Sequence, residues 1–170
     1  MAGTLRRRDV VGLPAVGGGD GRPRGRVADL LYSRSGDRVT GLLLRGGAWH
    51  RRLIPYEEVA AIGPAAIVLR QSVVLSTPNQ RGVRHLLTRH RQLLGRRVLR
   101  SDGTELGTIA DVCFEPERGI VTGYLLSGGP VSDLLMGMVF VAADRLAQAP
   151  GLADAEGLLM LSARRQESEE

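Results

Sequence analysis

Lysine is absent from this chain, so all 23 of its cationic side chains are arginines. A single cysteine, Cys113, excludes a disulfide framework and a cysteine-cluster metal site within one chain. Only six residues are aromatic, which is few for the stacking platforms of base-reading RNA modules. No stretch of 18 apolar residues exists, so we expect no membrane span. Met1–Asp9 lacks the apolar run of a signal peptide, and we expect a cytoplasmic protein.

The motifs of common catalytic and ligand sites are also missing. Of the three histidines, His50, His85 and His90, the last two are five residues apart and would face different sides of a helix, which does not suit a metal pair. The glycine-rich stretch Gly17–Gly21 is followed by Arg-Pro-Arg, so it lacks the context of a phosphate-binding loop and indicates a hairpin loop. We therefore predict no catalytic residues, no metal and no cofactor.

The composition that remains is that of a folded chain with many short elements. The length is 170 residues and the hydrophobic fraction is 43%, which is enough for a core. Glycine occurs 23 times, about twice the usual ~7%. Charge is unevenly distributed: residues 1–100 sum to +13 and residues 101–170 to −8. Basic surfaces attract nucleic acid or anionic lipid, but this chain also carries its own acidic counterpart.

An internal repeat organises the chain. Gly25–Gly47 and Gly107–Gly129 align without a gap at an offset of 82, with 10 of 23 positions identical. Each copy contains two strand-like segments around a turn, predicted at Arg26–Ser33 with Arg38–Arg45, and at Thr108–Glu115 with Ile120–Ser127. Further strands are predicted at Arg51–Pro55, Ala65–Arg70, Met138–Val141 and Leu158–Ser162, and helical turns at Tyr56–Ala61 and Ala143–Ala147. So many short strands would leave exposed edges unless each sheet curls closed, which predicts two small β-barrels in tandem.

The repeated motif resembles the PRC-barrel family. It reads Gly-x-[Val/Ile]-Ala-Asp, a hairpin, and Val-Thr-Gly-x-Leu-Leu, at Gly25–Asp29 and Val39–Leu44, and again at Gly107–Asp111 and Val121–Leu126. That fold occurs in the cytoplasmic part of the photosynthetic reaction-centre H subunit and in the C-terminal domain of RimM-type ribosome maturation factors. The resemblance implies an adaptor or assembly module without a catalytic centre.

Two repeat-related carboxylates and the cysteine have structural interpretations. Asp29 and Asp111 occupy equivalent places in separate repeats, so we expect each to accept turn amides or pair with an arginine, not to share a substrate. Cys113 aligns with Leu31, and this apolar counterpart predicts a buried thiol.

The segment Gln80–Arg100 carries seven arginines and no acid. An apolar stripe at helical spacing predicts an amphipathic helix that ends near Gly95. The arginines either belong to a solvated linker or form a surface for an anionic partner. The members that would form that surface are Arg81, Arg84, Arg89, Arg91, Arg96 and Arg97.

The stretch Pro130–Phe140 contains a five-residue insertion that the first repeat lacks. It is either a longer hairpin packed on its own barrel or an interface loop, since methionine-rich apolar surfaces suit protein contacts. The candidate interface residues are Leu134, Leu135, Met136 and Met138.

Together these features predict a mainly β protein of two tandem PRC-type barrels joined by a short basic helix or linker. The predicted boundaries are a first barrel at 1–72, the linker at 73–92, a second barrel at 93–163 and a disordered acidic tail at 164–170. We expect a non-enzymatic adaptor that binds an unidentified protein partner and forms a homodimer through the inserted loop. The alternative is an RNA- or ribosome-associated maturation factor that uses the arginine-rich segment 81–100.

Overall fold

A computed structural model describes residues 3–33, 35–46, 50–70, 93–100, 102–128, 137–147 and 158–161. These residues are mainly β, as predicted, and the one helix among them is α1 (Arg7–Val10). The chain divides into two compact units. Unit 1 comprises Met1–Arg91 with Cys113–Val121, and unit 2 comprises Gln92–Val112 with Thr122–Glu170. The predicted linker at 73–92 and the acidic tail lie outside the described residues, whereas residues 93–95, where the predicted helix ends, form a bend and a turn.

The first half of the chain folds into short strands because apolar and β-branched residues alternate with turn residues. Its strands are β1 (Leu5–Arg6), β2 (Pro14–Gly17), β3 (Pro23–Tyr32), β4 (Val39–Gly46), β5 (His50–Pro55), β6 (Val59–Ile62) and β7 (Ile67–Leu69). Six of them form a sheet in the order β5-β4-β3-β2-β7-β6. The hairpins β2–β3, β3–β4 and β4–β5 are antiparallel, whereas β2 and β7 are parallel.

The strands of the second half follow the same plan. They are β8 (Arg97–Arg100), β9 (Glu105–Phe114), β10 (Val121–Ser127), β11 (Val139–Ala142), β12 (Leu146–Ala147) and β13 (Leu158–Leu161). Their order is β11-β10-β9-β8-β13-β12, and β8 pairs with β13 in parallel, as β2 pairs with β7 in the first half. β1 adds to this sheet at Cys113 and Phe114, which belong to unit 1 together with β1.

The predicted strands are found with boundaries shifted by a few residues, but the helical turns are shorter than predicted. Each is a single 3₁₀ turn, at Tyr56–Glu58 and at Ala143–Arg145. Both end early because the next residues, Val59 and Leu146, enter strands β6 and β12. Within the described residues, the strand order of each sheet runs from edge to edge without closing into a barrel.

Each unit has an apolar core drawn from its strands. In unit 1 the side chains of Leu42, Leu44 and Ile54 are completely buried. In unit 2 Val98 and Ile109 are buried to the same degree, within 2%. Full burial of one such aliphatic side chain stabilises a fold by roughly 1.5–3 kcal/mol, so these positions hold the strands in register.

A repeated glycine sets the path of the long strands β3 and β9. Gly25 and Gly107 have φ values of +133° and +131°, a conformation that side chains disfavour. A Cβ on Gly25 would lie 2.7 Å from the carbonyl oxygen of Arg45. The glycine therefore permits the close approach of β3 to β4.

Substitution of Gly25 tests this requirement. Gly25→Ala should lower the free energy of unfolding by about 3 kcal/mol, because it combines backbone strain with a clash. Gly12→Ala is the control, since Gly12 also has a positive φ but open space around it, and it should cost about 1 kcal/mol. Urea unfolding followed by circular dichroism measures both. Equal costs would show that the contact with Arg45 is not restrictive.

Candidate interaction surfaces

The residues that the sequence singles out fall only partly within the described structure. Those outside it are Leu134, Leu135, Met136, Arg81, Arg84, Arg89 and Arg91. The described ones are Met138, Arg96 and Arg97. Met138 is 40% exposed and lies just before β11, which agrees with a surface position.

Arg97 is engaged by its own chain. Its guanidinium donates to Glu105 Oε2 at 2.6 Å, an ion pair between the neighbouring strands β8 and β9. The hydrogen bond from Arg97 holds the pKa of the Glu105 carboxyl below its usual range. An exposed pair of this kind contributes little to stability, but it gives this arginine an acidic neighbour within the chain.

The repeat-related aspartates have structural surroundings. Asp29 Oδ1 accepts hydrogen bonds from the Arg7 guanidinium, at 2.8 Å from Nη2 and 2.9 Å from Nε, and from the amide of Leu30 at 2.8 Å. Asp111 is 1% exposed, and its Oδ1 accepts from the amide of the following residue, Val112, at 3.0 Å. The pairing of Asp29 with an arginine agrees with the expectation, whereas the amide that Asp111 accepts from lies within strand β9 and not in a turn. The predicted burial of Cys113 is also confirmed.

A main-chain contact joins the two repeated hairpins inside unit 1. The turn after β3 meets the turn after β9, where Arg38 and Ile120 form an antiparallel bridge. The amide of Val39 donates to the carbonyl of Gly119 at 2.7 Å, and the amide of Val121 donates to the carbonyl of Asp37 at 2.9 Å. We call this the tip contact.

Tyr56 stabilises the turn after β9, which is the second of the two turns in the tip contact. Its hydroxyl donates to the carbonyl oxygen of Pro116 at 2.7 Å, and its ring meets Phe114 edge-on at a centroid distance of 6.4 Å. Burial, with a smaller effect of the Glu115 charge, raises the pKa of Tyr56 well above its ordinary value. Gly119 has a φ of +68°, and a Cβ there would lie 2.9 Å from both Val39 O and the Tyr56 ring. The turn therefore fits only with glycine at this position.

A groove of about 440 Å³ opens beside the tip contact in unit 1. Thr40, Pro55 and Tyr56 form part of its wall. Five charged residues share the lining, namely Arg38, Arg70, Arg118, Glu57 and Glu117. The Arg70 guanidinium donates to the carbonyl of Glu57 at 2.8 Å. The described lining of the groove contains no serine, cysteine or histidine.

The outer face of β10 and β11 differs between the repeats. In the first repeat Leu43 of β4 lies opposite Leu53 of β5, and these residues are 5% and 7% exposed. In the second repeat the equivalent pair is Leu125 and Phe140. Leu125 is half-buried and Phe140 is 54% exposed, with its ring against Gly123. The same cross-strand pair is thus buried in the first repeat and partly exposed to solvent in the second.

The comparison with known families agrees with this architecture. A family model for the PRC-barrel domain matches residues 2–73 and 88–146, so it covers most of the chain in two segments. The chain therefore belongs to the PRC-barrel domain family, as the repeated motif indicates. No curated protein matches the chain significantly.

Two features are absent from the described residues. Among them no cluster of three or more histidine, cysteine, aspartate or glutamate side chains could hold a metal ion. Nor does any helix in the described part of the chain have the length and apolar character needed to cross a membrane.

Removal of the Tyr56 hydroxyl tests how much its hydrogen bond to Pro116 stabilises the turn after β9. Tyr56→Phe keeps the ring contact and loses one hydrogen bond, so the free energy of unfolding at pH 7 should fall by about 1 kcal/mol. Tyr56→Ala also loses the ring and should cost about 3–5 kcal/mol. Urea unfolding distinguishes them, and equal losses would contradict the role of the ring.

The raised pKa of Tyr56 predicts a loss of stability in alkali. The unfolded chain releases the tyrosine proton near pH 10, whereas the folded chain retains it, so stability should fall as the pH rises above about 10. The same measurement on Tyr56→Phe should show a flatter dependence between pH 9 and 11. Parallel curves would mean that Tyr56 is not the group responsible.

Proposed function

We propose that this protein is a non-enzymatic adaptor whose docking surface is the outer face of β10 and β11 together with the inserted loop before β11. We call this surface the β10–β11 face. It includes the described residues Leu125, Met138 and Phe140 and the loop residues Leu134, Leu135 and Met136. Closure of each sheet into a small barrel is part of this proposal.

The observation that carries the proposal is the difference between equivalent positions of the two repeats. Leu43 and Leu53 are buried, whereas at the same register positions Leu125 is only half-buried and Phe140 is exposed to solvent. The first repeat buries the residue at this position, whereas the second repeat leaves the large aromatic ring of Phe140 exposed. This ring is apolar surface that a partner can cover. Aromatic residues are also enriched where interfaces carry most of their binding energy.

A second copy of the chain is the occupant that the charges favour. β11 consists of Val139, Phe140, Val141 and Ala142 and carries no charge, so two copies that meet there bring no like charges together. The equivalent strand β5 carries Arg51 and Arg52, and self-association through it would bring cations together. We therefore propose a homodimer with two-fold symmetry through the β10–β11 face.

The oligomeric state and two substitutions test this proposal. Size exclusion with light scattering at ~100 μM should give twice the chain mass of 18.3 kDa. Phe140→Asp should give a folded monomer, since a charge at the centre of the contact must be desolvated on association. Leu135→Asp should weaken the dimer in the same way if the inserted loop takes part.

Ala110→Asp provides the matched control, because Ala110 is an exposed residue of the same sheet outside the proposed face. This variant should stay dimeric. A wild-type mass near 18.3 kDa, or a folded Phe140→Asp variant that remains dimeric, would show that the β10–β11 face is not the interface. Binding of bulk RNA at ~50 mM salt with a steep salt dependence would instead favour an RNA-associated role.

A further inference from the structure

The tip contact is reciprocal with respect to the sequence repeat. At the offset of 82, Asp37 corresponds to Gly119 and Val39 corresponds to Val121. The bond from the Val39 amide to the Gly119 carbonyl is therefore the repeat-exchanged counterpart of the bond from the Val121 amide to the Asp37 carbonyl. The bridge partners, Arg38 and Ile120, are equivalent to each other. Each hairpin thus donates one backbone amide to the other and accepts one from it, at equivalent positions of the repeat.

The two turns are also closed alike. Ser33 donates its amide to the carbonyl of Arg38 at 2.7 Å, and its equivalent Glu115 donates to the carbonyl of Ile120 at 2.8 Å. These bonds hold each hairpin in the shape that the tip contact needs. Since the contact itself is made by main-chain groups, it persists although the side chains of Arg38 and Ile120 differ.

We propose that the tip contact is a self-complementary docking site whose second occupant is the equivalent hairpin of another copy of this chain. The turn after β3 in one molecule would pair with the turn after β9 in a second molecule through the same two hydrogen bonds. In such an exchange the contacts of Tyr56 with Pro116 and Phe114 and the pairing of β1 with β9 must pass to the second molecule together with the tip contact. The contacts made between chains are then the same as those broken within one, as in swapping between identical chains. This site is separate from the β10–β11 face and does not rest on it.

Concentration decides between the contact within a chain and the contact between chains. The hairpins of one chain meet as an intramolecular pair, for which an effective concentration of about millimolar is the order of magnitude of linked binding modules. Contacts between chains therefore compete increasingly as the protein concentration approaches that range. The expected product is a dimer whose fraction rises from ~10 μM to ~1 mM.

The bridge geometry allows the contact to be trapped by a disulfide. The two hydrogen bonds flank Arg38 and Ile120 and are not made between them, so these residues form a non-hydrogen-bonded antiparallel pair. The Cα atoms of such a pair lie about 4.5 Å apart, within the range of disulfide bonds. Cysteines at the two positions can therefore be oxidised to one bond, with two thiols losing two protons and two electrons to an added diamide oxidant.

The test mixes two single-cysteine proteins in a Cys113→Ala background. Arg38→Cys carries a size tag and Ile120→Cys does not, so neither can close a 38–120 disulfide alone. After oxidation with diamide, non-reducing gel electrophoresis should show the mixed tagged–untagged dimer, and its yield should rise with concentration. The control mixture pairs Arg38→Cys with Ala110→Cys, whose exposed thiol reports random collision. The mixed dimer should exceed this control several-fold.

The double variant Arg38→Cys/Ile120→Cys should close within one chain at ~1 μM, which checks the tip geometry independently. A failure to close there, or a mixed dimer no more abundant than the control at ~1 mM, would overturn the proposal. Adding Gly119→Ala to the Ile120→Cys protein should reduce the mixed dimer, because a Cβ there meets Val39 O.

Adding Phe140→Asp to both partners separates this proposal from the β10–β11 homodimer. Persistence of the mixed disulfide there supports the tip contact, even if the dimer seen by light scattering is lost. Loss of the mixed disulfide in that background would mean that the tips are brought together only by the β10–β11 face, and would overturn a separate docking site.

Discussion

Two main-chain hydrogen bonds at the tip contact tie the turn after β9 to the first half of the chain in unit 1. The Val39 and Val121 amides reach carbonyls on the opposite turn, and β1 pairs with Cys113 and Phe114, so the segment Cys113–Val121 belongs to a unit otherwise built from the first half of the chain. The burial of Tyr56 and the position of Glu117 and Arg118 in the groove both depend on this segment. A bond between backbone groups tolerates changes of side chain, so this constraint persists while the two repeats diverge.

Divergence has changed the surfaces of the repeats more than their framework. The positive φ of Gly25 is matched at Gly107, and the parallel pairing of β2 with β7 is matched by β8 with β13. On the outer face, by contrast, Leu53 is covered and its counterpart Phe140 is open. Core and turn positions are restrained by packing and backbone geometry, whereas an outer face is free to acquire a partner. This is why the proposed adaptor role rests on the second repeat.

Much of the framework is predictable from residues alone. Segments rich in apolar and β-branched residues, with Gly-containing turns between them, locate the central hairpins to within about three residues, and the alignment of Cys113 with Leu31 predicts its burial. The helical turns were predicted too long because Tyr56–Ala61 lacks any local signal that ends a helix at Glu58. The register of β6 against β7 ends it, and that pairing joins strands whose order does not follow from local sequence.

The sequence by itself determined the duplication, the β class, the family and the absence of common catalytic motifs, because these depend on residue type and spacing. Only the tertiary structure decided which equivalent positions are covered and where the two hairpins meet. Leu53 and Phe140 are both apolar, and the residues next to them in the sequence do not predict that Leu53 is buried and Phe140 is exposed. The tip contact is equally invisible in sequence, since its donors and acceptors are main-chain groups that nearly every residue carries.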